Sequence, residues 1–183
     1  MSELPEVPEL EFVAYAEDGR LSGRVRMDGT RLSDMLNDHD EYLLEGVLAE
    51  RIHDPGTMVV REILVRREEL LLVHAAGPRG DQELRIRTIP RGMTLEIGPY
   101  RVTGNIHTSA GIDPLLSFRH RRAMVPLTDA SIEYRGVDGP VREEVDTIIV
   151  NRNLVNWVRV AEPGAVMLNH GSRVSAGVRR PTV

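Results

Sequence analysis

Ile63-Leu64-Val65-Arg66-Arg67 returns 85 residues later as Ile148-Ile149-Val150-Asn151-Arg152, and this echo decides how the rest of the chain is read. The same offset carries Leu72-Val73 onto Trp157-Val158, Ala76 onto Ala161 and Pro78 onto Pro163. Further upstream, Arg20-Leu21-Ser22-Gly23-Arg24-Val25-Arg26 corresponds to Arg101-Val102-Thr103-Gly104-Asn105-Ile106-His107, and a helix-like stretch follows each. Self-similarity at a fixed offset is the mark of a repeated supersecondary unit. Residues 10–78 and 91–163 therefore read as a tandem pseudo-repeat. An acidic leader (1–9) precedes the first unit, a linker (79–90) joins the two, and a glycine- and arginine-rich, largely mobile tail (164–183) follows, with a short ordered piece at Ala165 to Leu168.

Within each unit the pattern is mainly β. Phe12 to Ala16 and Leu21 to Met27 flank Glu17-Asp18-Gly19, and Asp-Gly between alternating runs is a hairpin signal. Leu21, Gly23, Val25 and Met27 share one face, and Gly23 with its counterpart Gly104 marks a bend or a close backbone approach. Leu32, Met35 and Leu36 have helical spacing, and Asp113-Pro114 provides an N-cap with proline at the first helical position. Three strands follow in each unit: Tyr42 to Arg51, Val59 to Arg66 and Glu69 to Ala75, then Ala123 to Tyr134, Val145 to Val150 and Leu154 to Ala161. The short separations at Arg67-Glu68 and Arg152-Asn153 predict a tight antiparallel hairpin between the last two strands of each unit. Glu83 to Ile89 alternates like an additional strand. The expected fold is a β-rich α+β protein: a tandem pair of small five-stranded bent sheets or partly open barrels, each with one short helix. Units this small would share apolar surface, with Trp157, Ile149, Leu127 and Leu116 in the core of the second.

Two resemblances follow from these residues. The last two strands of each unit, with a charged turn between apolar runs, are similar to the end of Sm-like small barrels, although such a unit carries its helix before the first strand and here it lies between the second and third. The pattern Gly23 to Asn37, ending in Arg31-Leu32-Ser33-Asp34-Met35-Leu36-Asn37, together with Gly104-Asn105-Ile106-His107 and Val125-Pro126-Leu127-Thr128-Asp129-Ala130, resembles an uncharacterised family of bacterial β-rich proteins. That family implies the fold class and brings no activity or catalytic residues.

Composition narrows the function classes. There is no cysteine, which removes disulfides, thiolate nucleophiles and cysteine zinc sites together. There is also no long apolar run and no signal-like N-terminus, so a cytoplasmic protein without membrane contact is expected. All 23 basic side chains are arginine, as coding bias would produce. The formal charge of −5 hides a gradient: residues 1–54 hold 14 acidic and 5 basic groups, and residues 101–183 hold 8 acidic and 11 basic. Such a gradient reads as two solvated surfaces, with head-to-tail association or contact between the halves as the alternative.

The six histidines form no short-range metal pair, and no serine stands in a nucleophile-elbow context. Asn105, His107 and Asp113 gather polar groups between a strand and a helix and form one candidate polar site. Asp34, Asp38, Asp40 and Glu41 surround His39 without the spacing of a calcium loop, which reads as a solvated loop. Arg119, Arg121 and Arg122 flank His120 in a basic run, a candidate anion-binding patch or a complement to a helix dipole. No cofactor is expected. The leading expectation is a non-enzymatic interaction or assembly module with a protein partner or its own copies. The alternatives are an RNA or nucleotide binder using the basic patch, and a hydrolase or metal enzyme with histidines brought together by folding.

Overall fold

The computed structural model describes residues 8–27, 31–75 and 87–161. The leader before Pro8, the turn cluster Gly77-Pro78-Arg79-Gly80-Asp81, most of the strand expected over Glu83 to Ile89 and the tail with its Ala165 to Leu168 piece lie outside those residues.

The Asp18-Gly19 turn closes as expected, with Ala16 N–H donating to the Gly19 carbonyl at 2.8 Å between β1 (Glu9–Tyr15) and β2 (Gly19–Arg26). Helix α1 (Leu32–Asp38) buries Leu32, Met35 and Leu36, the predicted stripe. Strands β3 (Glu41–Arg51) and β4 (Thr57–Arg66) follow, then a 3₁₀ turn at Arg67–Glu69 and β5 (Leu72–Ala75). The same order then runs again: β6 (Ile89–Ile97), β7 (Tyr100–Thr108), α2 (Pro114–His120), β8 (Met124–Gly136), β9 (Gly139–Asn151), a 3₁₀ turn at Arg152–Leu154 and β10 (Trp157–Val160). Asp113 caps α2 by accepting from Leu116 N–H at 2.8 Å, ahead of Pro114.

All ten strands lie in one antiparallel sheet that is not closed, in the order β10-β6-β7-β8-β9-β5-β1-β2-β3-β4. This corrects the expected terminal hairpins. β4 does not pair with β5, nor β9 with β10; β5 lies between β1 and β9, and β10 pairs with β6. The cause is the 3₁₀ turn. It redirects the chain out of the ladder, with Leu70 N–H on the Arg67 carbonyl and Val155 N–H on the Arg152 carbonyl, so the last strand returns beside the first. A short, polar separation between two apolar runs looks the same in sequence whether the turn reverses the strand in place or sends it across the sheet.

Bulges bend both halves at matching places. The register of β2 on β3 shifts between Ser22 and Arg24, and that of β7 on β8 between Thr103 and Asn105. A Cβ on Gly23 would lie 3.0 Å from the Glu45 carbonyl oxygen, and one on Gly104 3.1 Å from the Cβ atoms of Ala130 and Leu127, so both glycines mark the close approach expected of them. Opposite them, Gly46 at φ 60° and Asp129 at φ 48° supply the left-handed residue that a bulge of this kind uses.

The described residues form two apolar cores. One gathers Leu95, Tyr100, Val102, Ile106, Phe118, Leu127 and other side chains of the second half, the other Phe12, Leu36, Tyr42, Leu44, Val47 and Val65 of the first. Where the halves meet, successive side chains go to opposite cores: Leu72, Ile148 and Val150 enter the first, Val73 and Ile149 the second. Strand side chains alternate between faces, so the cores lie on opposite sides of the sheet at the junction. Leu127 is buried in the core of the second half as expected, but Ile149 is buried in that of the first, where its strand alternation turns it; Leu116 is about half exposed and Trp157 more than a third exposed. All three are corrections. Leu116 stands on a two-turn helix whose buried anchor is Phe118, and Trp157 opens a strand with no described strand on its outer side.

Candidate functional site

The residues singled out from sequence are distributed over several contacts. Asn105 and His107 share one face of β7. The Asn105 amide donates to Asp129 Oδ2 at 3.3 Å, and the His107 ring lies 2.8 Å from Thr128 Oγ1 through Nε2 and 3.3 Å from Thr88 Oγ1 through Nδ1. Asp113 is occupied as the cap of α2. The trio is thus a hydrogen-bonded strand face and a separate helix cap. The face holds hydroxyls, an amide, an imidazole and one carboxylate, with the Thr128 hydroxyl on the His107 ring, a set that can orient a polar ligand.

In the basic run, the Arg121 guanidinium donates to the His107 carbonyl and ties α2 to β7. Arg122 donates to Asp38 Oδ1 at 2.6 Å and to the Asn37 carbonyl at 2.8 Å. Arg119 and His120 are exposed at the end of α2. The acidic cluster is divided likewise: Asp38 faces Arg122, Asp40 pairs with Arg67, and Glu41 is exposed. Among the described residues no group of three His, Asp or Glu side chains is placed to hold a metal ion. No helix there is long and apolar enough to cross a membrane.

A cluster that sequence reading missed sits where the halves join. The rings of Tyr15, Tyr100 and Tyr134 meet edge to face at centroid distances of 5.4 to 6.5 Å. Glu143 accepts from Tyr15 and Tyr134 through its two oxygens, each at 3.0 Å, and Tyr100 donates to the Ala16 carbonyl at 2.8 Å. Burial, reinforced by the carboxylate and the neighbouring rings, raises all three phenols, that of Tyr134 to about 12. They remain neutral donors, suited to joining the halves and not to proton transfer. Their positions, 34 to 119 residues apart in sequence, left no local signal.

Two asparagines seal the same junction. The Asn37 side chain pairs with the Met124 backbone in both directions, donating to its carbonyl and accepting its N–H, each at 2.9 Å. Asn151 donates from its amide to the carbonyls of Arg67 and Leu70, and its backbone N–H donates to Leu71.

The remaining feature is the pair of sheet ends. Among the described residues, β4 and β10 each have a strand on one side only. Met58, Val59 and Leu64 of β4 are 58%, 80% and 57% exposed, and Trp157 of β10 is 38% exposed with its indole donating to Glu96 at 2.7 Å. A ten-residue edge displaying large apolar side chains carries unpaired backbone groups and apolar area together, the combination that recruits another strand. The arrangement can bind protein by strand addition. No protein-family model, no curated protein and no solved structure matches the chain.

Proposed function

We propose that the chain is a cytoplasmic, non-enzymatic interaction or assembly module, built from two copies of one β-rich unit and working through its sheet edges. The observation that carries this reading is the β4 edge: among the described residues no strand pairs with its outer side, and Met58, Val59 and Leu64 are held out to solvent. Duplication is supported by the repeated order of strands, helices and 3₁₀ turns and by the matching bulges at Gly23 and Gly104. The basic run gives less support to an RNA or nucleotide ligand, because Arg121 and Arg122 already hold parts of the fold together.

A benzophenone amino acid at position 64, with irradiation in the producing cell, tests the reading. The expected result is a covalent adduct to a protein chain, absent when the same group stands at position 135. Adducts to RNA alone, or none at position 64, would overturn it.

A further inference from the structure

The internal junction of this sheet is made of two surfaces, and the ends of the sheet display a second example of each that no other described residue pairs with. β5 and β9 form the junction; β10 and β4 are their counterparts in strand order and lie at the free edges. The backbone contacts that place them also match. Leu71 N–H donates to the Tyr15 carbonyl and Asn156 N–H to Glu96, both at 2.9 Å; Arg67 N–H donates to Asp40 at 2.7 Å and Arg152 N–H to Ala123 at 2.8 Å.

On this correspondence two exposed apolar side chains, Trp157 and Leu64, stand where buried ones lie at the junction. Leu72 crosses into the other half's core and is fully buried; Trp157 holds the same place in β10 and is open. Ile149 crosses in the opposite direction and is 1% exposed; Leu64, its counterpart in β4, is 57% exposed. The charged residues left over at the ends fit the same scheme. Asn37, near the end of α1, grips the first residue of β8; Arg119 holds the corresponding place in α2, and Glu41 is the first residue of β3. Arg119 and Glu41 are both exposed and opposite in charge.

We infer that the partner of these edges is a second copy of this chain, bound head to tail, with β10 of one copy adding to β4 of the next as β5 adds to β9. This rests on the assembly reading above and specifies its partner. The junction pairs Leu72 with Val150, Val73 with Ile149 and His74 with Ile148. The intermolecular register is therefore Trp157 opposite Val65, Val158 opposite Leu64 and Arg159 opposite Ile63. Such a contact joins two different surfaces, so it continues from copy to copy and ends in a ring or a filament.

Sedimentation of purified protein, with two edge variants alone and mixed, tests the inference. The wild type should form species larger than a dimer. Leu64→Lys and Trp157→Asp should each weaken association at least tenfold, about 1.4 kcal/mol. Each variant keeps one intact end, so their mixture should form a dimer and stop there; that dimer also shows both variants to be folded. Because the chain has no cysteine, Ile63→Cys with Arg159→Cys should give reducible intermolecular ladders on oxidation. A monomeric wild type at every soluble concentration, assembly untouched by Trp157→Asp, or a disulfide closing within one chain would overturn the inference. A monomeric protein whose position 64 still captures a different protein would overturn it and leave the assembly reading standing; no capture at all would remove both.

Discussion

The joined edge and the free edges of this sheet are built from similar residues and meet opposite fates. At the junction, Leu72, Val73, Ile149 and Val150 are all buried, because each face of β5 and β9 is covered by one of the two cores. At the ends, Leu64 and Trp157 are exposed although their local sequences match those of Ile149 and Leu72. Burial here is decided by whether a neighbouring strand exists. The same comparison holds for polar groups: Asn151 spends its amide on two carbonyls across the junction, whereas Arg66, its counterpart in β4, donates from its guanidinium to Glu68 beside it and from its backbone N–H to Glu69.

The sharpest contrast should come from truncating the matched apolar pair. Leu72→Ala removes a fully buried side chain from the core of the second half and should lower stability by about 2–5 kcal/mol, whereas Trp157→Ala in dilute protein should cost less than about 1 kcal/mol. Denaturant midpoints at low concentration check both; equal losses would break the distinction between joined and free edges. Next, Asn151→Ala leaves the Arg67 and Leu70 carbonyls without their donor and should cost about 1–3 kcal/mol, against roughly 0.5 kcal/mol or less for Arg66→Ala.

Tyr15→Phe should cost about 1 kcal/mol by removing the hydroxyl that reaches Glu143 across the junction, while leaving its ring contacts in place. The same cluster sets an alkaline limit. Tyr15, Tyr100 and Tyr134 are raised above their ordinary 10.0 in the folded chain, so the unfolded chain loses these protons first. The stability they contribute is complete below pH 10 and falls as pH rises towards the folded values. Tyr42, also pushed up to about 12 by burial, adds to the effect. Tyrosinate absorbance should appear together with unfolding, and phenols titrating near pH 10 in the folded chain would contradict the cluster. The smallest expected effect concerns the paired bulges. Gly46→Ala at φ 60° should cost about 1 kcal/mol, whereas Asp129→Gly at φ 48° should change stability by less than about 1 kcal/mol, relief of strain offsetting loss of the contact with Asn105.

Much of the local structure was legible beforehand. The Asp18-Gly19 hairpin, the Leu32-Met35-Leu36 stripe, the Asp113-Pro114 cap and the close approach at Gly23 and Gly104 depend on backbone chemistry within a few residues. The candidate site was less legible. Asn105 and His107 do share a polar face, but the tyrosine cluster around Glu143 and the amide pairing of Asn37 with Met124 join residues far apart in sequence, where neither periodicity nor spacing leaves a trace.

By itself the amino-acid order determined that this is a β-rich chain with two similar runs of short strands and a short helix in each, because alternation, turn chemistry and capping act locally. Only the tertiary structure decided that β5 leaves β4 and joins β9, that ten strands make one sheet with two cores on opposite faces, and that Trp157 lies at an edge. Those outcomes depend on which strands become neighbours, and strand pairing is a contact between distant segments whose register and partner are settled when whole faces are buried together.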